Sequence, residues 1–146
     1  MAHLIRSSKD AGNLKGRKMN ASKFTVGFLF AVVASLASAG ETHVYSQGEF
    51  DKLTADNKPV LLEVSAPWCP TCKAQKPILS DLMSQPAYKD VTMLTIDFDT
   101  SKPLLGKLKV GMQSTLVAFK GKEEVGRSVG DTTREGIDAL VKKTVN

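Results

Sequence analysis

The amino-acid sequence predicts an α/β domain, on three observations. Short apolar runs alternate with stretches whose apolar residues return every three or four positions, in the order β-α-β-α-β-α-β-β-α. Two Ser/Thr-x-x-Glu patterns, Ser46 to Glu49 and Thr132 to Glu135, mark helix starts. Both cysteines of the chain, Cys69 and Cys72, fall at one junction, where an apolar strand gives way to a helical pattern.

The N-terminal segment stands outside that domain. Lys15, Arg17, Lys18 and Lys23 are basic, Phe24 to Leu36 is uncharged and apolar, and Ala37-Ser38-Ala39 is a small-x-small cleavage pattern. That is the layout of a secretory signal peptide over residues 1–39, cut between Ala39 and Gly40. The 17 residues from Phe24 to Gly40 fall short of the roughly 20 a membrane span wants. No cysteine stands directly after them to carry a lipid. Residues 1–18 read as an upstream start-site extension, with Met19 opening a leader of ordinary length. Export across the inner membrane to the periplasm is therefore expected. Residues 40–146 carry 14 Lys+Arg and 14 Asp+Glu, so the basic pI near 9.3 belongs mostly to the leader. A near-neutral domain gives no support to nucleic-acid or acidic-lipid binding. Its size fits one domain with a single core, expected to be a monomer. Two cysteines in an exported chain fit an oxidising compartment.

Within the domain a strand is expected around Thr42–Tyr45, then a helix from the Ser46 cap through Phe50 and Leu53 to Asn57-Lys58-Pro59. Val60–Ser65 is the central strand. The helix after the cysteines carries Ala74, Ile78, Leu79, Leu82 and Met83, has Pro77 inside it and ends at Gln85-Pro86. Val91–Asp97 is the next strand, and Lys102–Leu108 a short helix capped by Thr100 or Ser101. Thr115–Phe119 and Glu124–Val129 form a hairpin across Gly121-Lys122, a Gly-first turn. The last helix starts at the Thr132 capping box and turns Ile137, Leu140 and Val141 inward.

The chemistry is concentrated in Cys69-Pro70-Thr71-Cys72. At a helix N-terminus the free amides and the positive dipole end stabilise an anion, which a Cys69 thiolate would be. Pro70 suits the first helical turn, where its missing N–H costs nothing. Two intervening residues let the sulfurs reach bonding distance, with only Cys69 expected to face solvent. Cys69 would then attack a disulfide and Cys72 resolve the mixed disulfide. The alternatives are an inert structural disulfide and a zinc half-site. Zinc wants about four ligands, and His3 and His43 are far off in sequence, so neither metal nor cofactor is expected. Glu63 interrupts the central strand's apolar run. Burying an unpaired carboxylate costs several kcal/mol or keeps it protonated, so the position demands a reason.

From about residue 44 to the end the chain resembles the thioredoxin family. The resemblance is carried by Trp68-Cys69-Pro70-Thr71-Cys72-Lys73, Pro77, Leu94-Thr95-Ile96-Asp97, Phe119-Lys120-Gly121 and Val129-Gly130. It implies the thioredoxin fold, a central mixed sheet flanked by helices on both faces. It also implies a thiol:disulfide oxidoreductase whose redox-active disulfide is Cys69–Cys72. Trp68, Pro70, Gln113, Ser114 and Thr115 would border protein disulfide or dithiol substrates, and a membrane thiol-redox partner would recycle the pair. Glu63 would be the acid that takes the proton of Cys72. Met93 replaces the lysine that often accompanies that acid, which should keep it neutral more easily. Thr71 lacks the charge of the oxidant-type motif, which favours a reductant or isomerase. Ser114 is the main departure, because it stands where the family has a cis-proline. A trans peptide is expected there, since cis costs about 2.5–4 kcal/mol before a non-proline. The departure leaves an alternative open: a non-catalytic binding protein of the same fold, or a dimeric [2Fe–2S] scaffold with Cys69 and Cys72 from each chain. Restoring proline at 114 is expected to keep the fold and lower turnover with the native partner.

Overall fold

The structure, a computed structural model, describes residues 39–146. The start-site extension and all of the expected leader except Ala39 lie outside the described residues. Five strands and four helices follow the predicted order: β1 Glu41–Val44, α1 Gln47–Ala55, β2 Pro59–Ser65, α2 Pro70–Met83, β3 Thr92–Asp97, α3 Lys102–Lys107, β4 Thr115–Lys120, β5 Glu123–Val129 and α4 Arg134–Val145. A 3₁₀ turn, Pro86–Tyr88, joins α2 to β3. The sheet order is β1-β3-β2-β4-β5, with β1, β3 and β2 parallel and β4 and β5 antiparallel.

The sheet is covered on both faces, as the resemblance implies. Successive side chains of a strand point to opposite faces. Val60, Leu62 and Val64 of β2 face a core shared with Phe50 and Leu53 of α1 and Leu105 of α3. Leu61 joins Leu79, Leu82 and Met83 of α2 and Ile137, Leu140 and Val141 of α4. The middle strands β2 and β3 are buried on both sides and so read as nearly continuous apolar runs.

The helix starts show where local chemistry decides boundaries. Ser46 caps α1 as expected, its Oγ accepting from the Glu49 amide at 3.2 Å. α4 begins one residue later than its capping box suggests. Asp131 Oδ1 accepts from both the amide and the hydroxyl of Thr133, and Thr133 rather than Thr132 caps the helix at Gly136. At α3, neither Thr100 nor Ser101 supplies a side-chain cap; Ser101 holds the cap position without such a bond. Gly121 opens the hairpin turn with φ +57°, which glycine adopts without steric cost.

Candidate active site

The central strand delivers the site. β2 ends at Ser65, the chain turns through Ala66–Trp68, and α2 begins at Pro70 with Cys69 as its N-cap. The Cys72 amide donates to Cys69 Sγ at 3.1 Å. The two cysteines form a disulfide, with their Cα atoms 5.3 Å apart across one helical turn. Pro70 occupies the first helical turn and is exposed.

Cys69 does not face solvent as expected. It is 1% exposed and Cys72 2% exposed, packed with Ala66 against Phe98. The bond to Cys72 and the turn of chain before it close over the first sulfur in the oxidised form. Trp68, by contrast, is 56% exposed, and its indole N–H donates to Asp99 Oδ2 at 2.8 Å. Asp99 is held by Asp97, whose Oδ1 accepts from the amides of Asp99 and Thr100 and from the Thr100 hydroxyl. Those bonds, that of the Thr100 amide first, hold the Asp97 carboxyl below the usual range.

The Ser114 loop lies across from α2. Among the described residues there is no cis peptide, as expected for residue 114, and Ser114 has φ +55°. Left-handed backbone costs a non-glycine residue about 1–2 kcal/mol, so bonds must hold it. Ser114 Oγ donates to the Gln113 carbonyl at 2.6 Å. The Ser114 carbonyl accepts from the Gly130 amide at 2.9 Å and from Gln75 Nε2 at 3.3 Å. Thr115 is buried and its hydroxyl donates to the Met112 carbonyl at 2.7 Å. Ser114 and Thr115 thus use their side chains within the loop, while Gln113 is half-buried and Met112 exposed.

Gln75 is the residue that the sequence reading missed. It is wholly buried on α2, and its Nε2 donates to the carbonyls of both Ser114 and Asp131, the latter at 2.8 Å. One side-chain amide therefore ties the cysteine helix to the Ser114 loop and to the entry of α4. Its Oε1 has no hydrogen-bond partner. The available signal was position: Gln75 lies one turn before Leu79, on the inward side of an amphipathic helix.

Glu63 lies at the middle of β2, 3% exposed, beside Thr95 of β3 and Leu116 of β4. Its Oε1 is buried without a hydrogen-bond partner among the described residues. Burial pushes its carboxyl above the ordinary 4.5, and the charge of Lys76 opposes that shift. Met93 brings no charge, and among the described residues the only opposing charge that acts on Glu63 is that of Lys76 on α2, which offsets burial in part. Glu63 borders a cleft of about 480 Å³ between α2 and the β1 edge. Cys72 borders a second, of about 300 Å³. Lys76 and Thr95 border both.

Comparisons with known proteins agree with this geometry. The family model described as Thioredoxin matches residues 41–143. Thioredoxin H2-1 of Oryza sativa subsp. japonica is 31% identical over 107 residues, covering 70% of this chain and 72% of its own. Thioredoxin of Chlamydia muridarum is 36% identical over 84 residues, 58% of this chain and 80% of its own. Among solved structures, Trxlp from Edwardsiella tarda EIB202 superposes with TM-score 0.67 at 37% identity, covering 69% of this chain and 98% of that one.

Proposed function

This chain belongs to the thioredoxin family, whose members are thiol:disulfide oxidoreductases, and from that we propose that it is an exported reductant or isomerase of protein disulfides. The observation that carries the reading is the Cys69–Cys72 pair at the head of α2, with the Cys72 amide aimed at Cys69 Sγ. In the reduced protein that amide and the helix dipole stabilise a thiolate on Cys69.

The reaction balances as two thiol–disulfide exchanges. The Cys69 thiolate attacks a substrate disulfide, forms a Cys69–substrate bond and releases one substrate thiolate. Cys72 then loses its proton to Glu63 and attacks Cys69 Sγ, forming the intramolecular disulfide and releasing the second substrate thiolate. Two electrons pass to the substrate, and a dithiol partner at the membrane restores the pair. A carboxyl raised by burial suits the acceptor's task, because its affinity for protons moves toward the working pH. Trp68, Pro70 and the Gln113 backbone border the place where a substrate strand would lie. Thr71 puts no charge beside Cys69, so the potential is expected between about −270 and −120 mV, the family's extremes. Export rests on the basic, apolar and small-residue layout of residues 1–39.

The direct test is trapping. Cys72→Ser should accumulate mixed disulfides with envelope proteins on Cys69, and Cys69→Ser should accumulate none. Trapping by the second variant alone would reverse the roles of the two thiols.

A further inference from the structure

The proposed proton acceptor and the thiol it serves do not share a cleft. Glu63 borders the larger one and Cys72 the smaller, and among the described residues the two walls share Lys76 and Thr95. Thr95 is uncharged, so Lys76 is the one ionisable side chain in that shared wall. It sits one turn after Cys72 on α2 and is exposed. Its aliphatic stem can line the wall while the ammonium stays near water. We propose that Lys76 is the positioning residue that couples Glu63 to Cys72, its ammonium keeping the Glu63 carboxylate available to take the thiol's proton.

The inference rests on Glu63 being that acceptor. Three further observations support it. Among the described residues nothing donates a hydrogen bond to the buried Glu63 Oε1, so a nearby charge is what remains to favour its ionised form. Among the described residues Glu63 and Lys76 are the only ionisable side chains in its cleft: β1 contributes Thr42, β3 Met93 and Thr95, α2 otherwise Leu79, Ser80 and Met83, and Ser84 follows that helix. The cleft of Cys72 adds Lys73 and Asp97, neither of which borders Glu63's. The sign then follows. Burial favours neutral Glu63 and Lys76 opposes it, so removing the ammonium must keep Glu63 protonated to higher pH and delay the second exchange.

The experiment follows the two thiolate releases when the reduced protein reacts with 5,5′-dithiobis(2-nitrobenzoate). The first release reports attack by Cys69, the second resolution by Cys72. One length of chain is used throughout, because Gly40 also borders the Glu63 cleft. Lys76→Met should move the acid limb of the second-release profile up by about half a pH unit, a modest shift because the ammonium is exposed and screened. The first release should be unchanged. Lys76→Arg should keep the wild-type profile, and Met93→Lys added to Lys76→Met should bring the limb back. Should the double variant fail to fold, the contrast between Met and Arg at 76 still decides. If Glu63→Gln abolishes the limb while Lys76→Met leaves it in place, the role of Lys76 is refuted and that of Glu63 stands. If Glu63→Gln itself leaves the limb in place, the acceptor reading fails. Equal slowing of both releases by Lys76→Met would overturn the inference in favour of a structural effect.

Discussion

At the scale of the residue, two positions act against the stability of the fold that holds them. Glu63 is a buried carboxyl with an unpartnered oxygen. Because burial raises its folded-state value above the ordinary 4.5, its contribution is intact below that value and lost as pH rises through the folded one. Glu63→Gln should therefore melt like the wild type near pH 4 and above it at pH 8. A difference independent of pH would count against a buried ionisable role. Ser114 carries the second cost, a left-handed backbone at φ +55°. Proline fixes φ near −65°, so Ser114→Pro should lower stability by more than about 1 kcal/mol. The fold is still expected to form in that variant, with a lower denaturation midpoint. Ser114→Gly should be nearly neutral, since relief of strain offsets the lost bond from Oγ. Ser114→Ala, which keeps the strain and loses that bond, should cost about 1 kcal/mol. Denaturation midpoints of the three rank them directly. Glu63 was legible because it broke an apolar run. Lys76 was not, since an exposed lysine on a helix looks like any other until the strands beneath it are known.

At the scale of the element, α2 does more than present a pair of sulfurs. Its first turn supplies the Cys72 amide to Cys69, and its second supplies Gln75 to two loops. Pro77 falls inside the same helix. Lacking an amide N–H, it leaves the Lys73 carbonyl without its usual helical partner. Gln75→Leu keeps the helix and its apolar neighbours but removes the donor to the Ser114 and Asp131 carbonyls. Ser114 keeps the Gly130 amide; the Asp131 carbonyl is left with no other donor among the described residues. The expected cost is about 1 kcal/mol, the penalty of an unsatisfied half-buried acceptor less the gain from deleting the orphaned Oε1. The Ser114 loop should loosen too, so KM for a protein disulfide should rise more than kcat falls. A purely structural tether would lower stability without separating the two. Periodicity gave the helix and its inward face. It could not say that a glutamine on that face would be bonded to loops 39 and 56 residues away.

At the scale of the whole molecule, alternation of strand and helix patterns was enough to anticipate the element order, because each element has its own period and a turn residue on either side. The start of α4 moved through a side-chain competition between Asp131 and the capping box. That depends on turn geometry rather than on pattern. The largest expectation concerns the leader, and its sharpest point is Gly40. The Gly40 amide donates to the Met83 carbonyl at 2.7 Å at the end of α2, and the Glu41 amide donates to Val91. A Cβ at residue 40 would come within 2.8 Å of the Tyr88 carbonyl and 2.9 Å of Val91's. Backbone atoms cannot yield as a flexible side chain can, so glycine is required at the first residue expected after the cut. Ala39, next to it, is exposed. If cleavage falls between them, intact-mass analysis of envelope protein should find residues 40–146. Gly40→Val should then destabilise the processed domain by about 1–3 kcal/mol through overpacking. Conservative changes at Ala39 should alter processing and leave the denaturation midpoint of the processed protein where it was. A mass that retains Phe24–Leu36 would make the apolar run an anchor and end the argument for a cut at Ala39.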